Sequence, residues 1–488
     1  MDDITYAGSW KIYLKDNIYQ GELHYNNDEK MIALVINVLA DQNHPFPTAA
    51  YKGKIPFIQG TLFNGAHVLL YDCDTGRERT EIFQYTEQVI YAKFAFWGLS
   101  IESVNDLVFK KVRFELTDTL TWADLCDYKW EMKEDGSQNL IWNHKDAIKI
   151  RVNNDLSATI KPMQENVGRY NFIRKNDYLA SQYIDFDFEF NSYVGWERIL
   201  QEVESFKYLI GLGVGHSVAL KRIWYYHDSI KEQYSDSEGK SHEYLVKANV
   251  MIGIKSNNQD DQETLPFNFT YRLKDITNGN IINTWFDNYG KLKPVLDLYF
   301  LSISYNNVTA EMRFLNIVQA LETFHARFVT DNAKAYIKKV DSAIKSSKCP
   351  HNWGDFLCNS YQKSHTGSIY LISRLADLSY SDGEMPFHPG SSNIPDSYME
   401  KVVKTRNYYT HYGESLIPYI FSVEELPWVT EELRCLLEYH ILKLIGFDEI
   451  EIHRALLKKI DDINRNYNMS TKTIELNPSL LATGKVDN

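Results

Sequence analysis

The chain has 488 residues, of which 44% are hydrophobic, with a formal net charge of −13 and a mean hydropathy of −0.39. That length predicts two or three domains with real cores, and the negative charge argues against a broad, non-specific nucleic-acid coat while leaving room for a local basic cleft. No run approaches the roughly 18 apolar residues that span a bilayer. The five cysteines (Cys73, Cys126, Cys349, Cys358 and Cys435) are odd in number and scattered, which argues against a disulfide framework. The acidic start MDDITYAGSW lacks the apolar run of a secretory leader. A reduced, cytoplasmic protein is expected.

In chain order, residues 1–125 read as strands. GSWKIYL, YQGELHY, MIALVINVL, PFIQGTLF, AHVLLYDC and VIYAKFAFWG are short β-prone runs cut by Gly, Asn, Asp and Pro, the spacing of a sandwich or barrel. Residues 126–260 form a second β-rich segment, either separate or one unit with 1–125. It holds AIKIRVNN, SATIKPM, YIDFDFEF, VALKRIWYYH and YLVKANVMIGI, with one helix near 194–208. The polar SNNQDDQETLP, residues 256–266, reads as a linker. Residues 261–488 change period. TAEMRFLNIVQALETFHARF, residues 309–328, aligns Phe314, Ile317, Val318, Leu321, His325 and Phe328 on one helical stripe. DNAKAYIKKVDSAIKSSK follows, then a helix near 367–380, a Gly/Pro/Ser-rich loop and a helix that Ser397 and Glu400 can cap. A further helix spans Thr430 to Ile445 with Gly446 past its end, and another is capped by Asp448 and runs to about residue 465, with a loose tail beyond. The fold class is α+β and multidomain: a β-rich, sandwich- or barrel-like N-terminal half and an all-α C-terminal half.

Three Arg/His pairs with four to six intervening residues occur: Arg222…His227, Arg406…His411 and Arg434…His440. With 16 Arg and 14 His in the chain, chance yields roughly 1.4 such pairs, so spacing alone carries nothing. Arg222 and His227 sit five apart on a strand and face opposite ways. His440 falls on the apolar stripe of its helix and Arg434 does not, which reads as a core histidine. Arg406…His411 differs. From Met399 the inward stripe continues through Val402, Val403, Arg406, Asn407, Thr410 and His411 in steps of three and four. Buried charged groups are costly unless paired, so a helix turning this quartet inward builds a site or an interface. A solvated helix end, or a structural hydrogen-bond cluster, remains the alternative from pattern alone.

RNYYTH on a C-terminal helix resembles the Arg-x-His signature of the HEPN ribonucleases, in which a polar residue follows the arginine as Asn407 does here. FLNIVQALETFHARF is similar to the opening helix of that family, and with a β-rich N-terminal half the chain resembles the ApeA-type HEPN proteins of bacterial anti-phage abortive infection. The resemblance is sharpest over 305–465. It implies a helical bundle, a homodimer formed through that bundle, no cofactor, and metal-independent cleavage of RNA, with transfer RNA among the expected substrates. The N-terminal half would sense a phage-derived trigger or restrain the nuclease. The residue types suit the chemistry. RNA carries its own nucleophile in the 2′-OH, histidine supplies a base or acid near neutral pH, and arginine matches a phosphate oxygen pair. The expected products are a 2′,3′-cyclic phosphate and a 5′-OH. Arg406 and His411 are about 7.5 Å apart in helix rise, which is long for one chain to clamp one phosphate and favours a cleft shared across a two-fold axis. Asn407 is expected to orient His411 or bind a phosphate oxygen, and Glu322 to hold His411 or Arg406, with an ordinary surface carboxylate as its alternative. Tyr408 and Tyr409 are candidates for base stacking. Lys334, Lys338 and Lys339, with Lys345 and Lys348, are candidates for the RNA backbone, or else a solvated helix face.

The second reading, from another class, is a non-catalytic dimeric binding or sensor protein whose bundle is only a scaffold. GLGVGH at 211–216 is not a dinucleotide fingerprint. The Cys349, His351, Cys358 and His365 spacing matches no standard zinc site.

Overall fold

The computed structural model describes the chain except for residues 1–3, 14, 16, 27–28, 40–48, 82–84, 167–179, 236–240, 254–268, 278, 304–307, 346–368, 380–386, 390–394, 467–473 and 477–488. The linker expected at 256–266 and the set Cys349, His351, Cys358 and His365 lie outside the described residues. The chain divides into two compact units, residues 1–207 with 218–263, and 208–217 with 264–488.

The first unit is built of strands. Strands β1 (Ile4–Ile12), β2 (Ile18–Asn26), β3 (Met31–Leu39), β4 (Lys54–Leu62), β5 (His67–Glu81) and β6 (Tyr85–Trp97) pair antiparallel in the order β6-β3-β2-β1-β4-β5, and β5 pairs back onto β6. That closure makes a six-strand barrel, which leaves no edge among those strands to template aggregation. Alternation fills it. Trp10, Ile12, Leu23, Leu34, Ile36, Ile58, Leu70 and Ile90 are buried inside. Trp10 lies flat over Gly60, where a Cβ would stand 2.2 Å from the indole Cζ3, so only glycine fits opposite this ring.

Beyond the barrel lies a second run of strands. These are β7 (Val108–Leu116), β10 (Ile148–Arg151), β11 (Leu156–Asn166), β12 (Ala180–Gly195), β13 (Leu220–Ser235) and β14 (Ser241–Ile252), ordered β10-β11-β12-β7-β13-β14. Val250–Ile252 of β14 pairs with Phe94–Phe96 of β6, so barrel and sheet share one twelve-strand ladder. The short helix α1 (Thr119–Ala123) and a hairpin of β8 (Cys126–Met132) and β9 (Gln138–His144) are inserted between β7 and β10. Helix α2 (Trp196–Val214) brings Phe206 onto Phe114, Phe186 and Phe188, with ring centroids 5.2–6.5 Å apart. The opposite face of the same strands is ionic. Asp187 takes Arg113 Nε at 2.6 Å and Lys161 Nζ at 2.6 Å. Glu115 pairs with Lys221 and Arg222. Arg222 is thus an ion-pair residue of the sheet, in line with the packing role expected of it.

The second unit is helical: α3 (Leu273–Ile276), α4 (Ile281–Ile303), α5 (Ala310–Phe324), α6 (Ala333–Lys345), α7 (Leu371–Ser379), α8 (Pro395–His411), α9 (Leu426–Ile445) and α10 (Glu449–Asn466). Two three-residue strands, Phe387–Pro389 and Ile474–Leu476, pair antiparallel, the second from the stretch expected to be loose. α9 packs against α4, α5, α7 and α10 and is buried nearly all round, charged residues included. The expectation that Arg434 faces away from the core is corrected here: it is 7% exposed and pairs with Glu431 and Glu438. His440 Nε2 donates to the Leu378 carbonyl at 2.7 Å, and burial pushes its imidazole down to about 4. It is a neutral structural histidine.

Candidate functional site

α8 is held at its start and open at its end. Met399, Val402 and Thr405 are its most buried positions, at 6%, 0% and 0% exposure. Thr405 Oγ1 donates to the Lys401 carbonyl at 2.7 Å and accepts the Phe421 N–H at 3.0 Å. The chain leaving α8 therefore runs back along it: Lys404 lies over the Tyr419 ring, and Lys401 lies over Phe421 while reaching Glu425. Tyr398 donates to Glu432 of α9. One detail of its start differs from expectation. The helix begins at Pro395, which places Ser397 inside its first turn and not at a cap. Its stop is Tyr412, which takes the left-handed conformation at φ 51° while Gly413 sits at −72°. A tyrosine there costs on the order of 1 kcal/mol, next to His411.

The expected inward stripe is corrected beyond Val402. Val403, Arg406 and Asn407 are half-buried, and Thr410 and His411 are exposed. The physical reason is the curvature of the face, since a 3.6-residue repeat carries steps of three and four around the cylinder. Arg406 Nη1 donates to Asn407 Oδ1 at 3.1 Å, so Asn407 orients the arginine and not, in this chain, His411. Thr410 Oγ1 donates to the Arg406 carbonyl at 2.7 Å, a local backbone bond. His411 has no hydrogen-bond partner among the described residues. Tyr408, Tyr409 and Tyr412 pack edge to face, with centroids 5.1–6.4 Å apart. Tyr412 is 67% exposed, and Ile417, Tyr419 and Val423, on the chain that follows, exceed 50%.

Other candidates fall elsewhere. Glu322 of α5 is half-buried and forms no hydrogen bond or ion pair with Arg406 or His411 among the described residues. Burial, and after it the Glu311 carboxylate, raise the Tyr409 hydroxyl above its ordinary value. Glu311, at the start of α5, is thus close enough to act on Tyr409, and Glu322 lies roughly 16 Å further along the α5 axis. Lys334 and Lys338 are exposed on α6 without ion-pair partners among the described residues. The Lys339 side chain and Lys348 lie outside those described.

Sequence reasoning missed the support behind α8. His325, on the apolar stripe of α5, is fully buried at a π-turn. Its Nε2 bonds Asp377 at 2.9 Å and its Nδ1 accepts from Arg374 Nη1 at 3.2 Å, so the tautomer carries its proton on Nε2. Arg374 continues to Asp331 at 2.6 Å. A histidine on an otherwise apolar stripe was the available signal, but its partners are 49 and 52 residues away.

The Tyr398–Glu432 contact yields a pH prediction. Burial pushes the Glu432 carboxyl up to about 8, against the pull of the Tyr398 hydroxyl. In the unfolded chain it ionises at its ordinary 4.5, so between those values the native state holds a proton that the unfolded state has released. Stability from this group is full below about pH 4.5 and is lost as pH rises through about 8. Glu432→Gln is expected to flatten that decline and to exceed the unmodified protein by on the order of 3 kcal/mol at pH 9. Melting temperatures of both proteins from pH 5 to 9 measure it; parallel curves would refute the protonated-carboxyl reading.

Two family models match the chain, one described as ApeA N-terminal domain 1 over residues 5–285 and one as Apea-like HEPN over residues 315–451. The first covers more than half of the chain, and the second contains Glu322, Lys334, Lys338, Lys339 and the whole of Arg406–His411. No curated protein and no solved structure matches it.

Proposed function

Since the chain belongs to the ApeA family and carries its HEPN domain, we infer that it is a metal-independent endoribonuclease of bacterial anti-phage defence. The observation that carries this reading is the end of α8: inside the HEPN match, an arginine held by its neighbouring asparagine stands five residues before an exposed histidine with no hydrogen-bond partner among the described residues. His411 takes the proton of a ribose 2′-OH. The 2′ oxygen then attacks the adjacent phosphorus, the P–O5′ bond breaks, and the 5′ oxygen leaves with a proton supplied by an imidazolium. Arg406 neutralises the phosphorane oxygens, and Asn407 fixes its guanidinium plane. The products are a 2′,3′-cyclic phosphate and a 5′-OH, with transfer RNA as a candidate substrate, in the cytoplasm. The strand-built unit serves as sensor or regulator of a phage-derived trigger. Glu322 receives no role.

The separation of Arg406 from His411 is met by a homodimer through residues of about 305–465, in which both copies of the motif approach one two-fold axis. Each site then pairs the Arg406 of one chain with the His411 of the other, whose imidazolium returns its proton to the leaving 5′ oxygen. The exposed Tyr412 next to His411, with Ile417 and Tyr419 on the segment that follows, supplies apolar area for such an interface. Purified protein incubated with total RNA in excess chelator is expected to leave cyclic-phosphate ends. Strict dependence on added Mg²⁺ or Mn²⁺ would overturn the mechanism, and intact RNA would favour the scaffold reading. Mixing tests the dimer. A heterodimer of Arg406→Ala with His411→Ala rebuilds one complete site, so it should regain cleavage that both parent homodimers lack. A mixture as inactive as its parts would refute the shared cleft.

A further inference from the structure

A cleft of about 600 Å³ opens within the helical unit between the segment around α3 and the end of α9 with α10. That is the size of a small-ligand or single-strand site. None of its lining residues belongs to the motif at the end of α8. Its polar wall is basic: Lys274 from one side, Arg454 and Lys458 from the other. Arg454 and Lys458 are four residues apart on α10 and share a helical face. All three are exposed, and none has a hydrogen-bond or ion-pair partner among the described residues.

The two carboxylates that line the cleft are already used. Asp275 accepts the Arg272 N–H at 2.7 Å, capping α3. Glu451 accepts the Asp448 N–H at 3.3 Å, while Asp448 Oδ1 accepts the Glu451 N–H at 2.8 Å, capping α10. Each carboxylate is thus turned to backbone donors, where helix N-termini favour negative charge. By contrast Lys459, one residue beyond Lys458, is spent on Glu438. In a chain of net charge −13, the four cations lining this concavity, Arg272, Lys274, Arg454 and Lys458, outnumber its two carboxylates, so the lining is net positive and favours an anion.

We propose that this cleft binds consecutive phosphates of an RNA strand, away from the cleavage motif, as an anchoring site for substrate. The inference rests on the ribonuclease reading for its choice of RNA as the source of phosphate. Arg454 and Lys458 lie outside both family matches, and Lys274 lies within the N-terminal one. The anchor is therefore assembled from chain that neither family domain contains alone.

The test uses full-length His411→Ala protein, which binds without cutting, and a fluorescent single-stranded RNA. The triple variant Lys274→Glu, Arg454→Glu, Lys458→Glu, and the milder Lys274→Gln, Arg454→Gln, Lys458→Gln, are compared with the parent from 50 to 200 mM salt. Loss of three contacts should lower affinity by roughly tenfold or more and reduce the slope of log affinity against log salt by about 2. The melting temperature should hold, because the three side chains have no partners to lose; if the Glu triple misfolds, the Gln triple decides. Unchanged RNA affinity and slope overturn the anchor while leaving cleavage at Arg406 and His411 standing. A parallel titration with GTP separates the sources of phosphate. Loss of GTP binding with RNA binding intact makes the cleft a nucleotide site and overturns the RNA assignment. Absence of RNA affinity in the parent overturns the anchor and the ribonuclease reading together.

Discussion

His411→Ala and Arg406→Ala are each expected to lower RNA cleavage by roughly 10²–10⁴-fold, the range for a positioned acid–base or charge-stabilising group, with both variants still folded. His411 is exposed and bonds to nothing among the described residues, so its removal costs the fold little. Arg406 gives up one hydrogen bond, to Asn407, worth about 1 kcal/mol. Asn407→Ala should fall between these and the unmodified protein, because it frees the guanidinium without removing it. The reason for survival is the surface position of the motif and not relief of buried strain, which a stripe of inward polar groups would have implied. The control needs care for the same reason. Arg434→Ala would also silence the protein, but by unfolding, since Arg434 is buried between Glu431 and Glu438. Circular dichroism separates the two routes. A folded His411→Ala protein that cuts RNA at near-normal rate would remove His411 from the chemistry.

A large stability effect is expected at Lys459. Glu438 is fully buried, and Lys459 Nζ meets its two oxygens at 2.7 and 2.6 Å. Tyr299 donates to it, and Arg434 Nε lies 3.6 Å away. Burial by itself would push this carboxyl up, yet Lys459 and Arg434 outweigh burial and hold it below its ordinary value. Lys459→Met removes the cation and leaves the anion in the core of the helical unit. Breaking one side of such a pair costs about 3–5 kcal/mol, read as a lower urea midpoint for the helical unit. The double variant Lys459→Met, Glu438→Gln should recover most of that loss, because no unpaired charge remains. A loss below about 1 kcal/mol for Lys459→Met would mean that Tyr299 and Arg434 satisfy Glu438 without it.

The sequence determined whatever depends on neighbours a few residues apart. Two-residue alternation in runs such as GSWKIYL and MIALVINVL made strands, and the stripe Phe314, Ile317, Val318, Leu321 made α5, because backbone periodicity alone selects which side chains share a face. Gly446 ended α9 at φ 103°, a conformation that only the local residue decides. The residue pattern Arg406, Asn407, His411 was likewise local. Tertiary structure decided what depends on partners far along the chain. Closure of the barrel by β5 on β6, and the pairing of β6 with β14 about 155 residues later, follow from global packing of apolar faces, which no short window contains. α9 reads as amphipathic, yet it is enclosed on all sides, so Glu431, Glu432, Arg434 and Glu438 are buried. Glu432 keeps its proton beside Tyr398, and the Glu438 charge is balanced by Tyr299 and Lys459, which arrive from other helices. The helix stop at Tyr412 was also set there, where the chain turns back along α8 to seat Phe421 on Thr405.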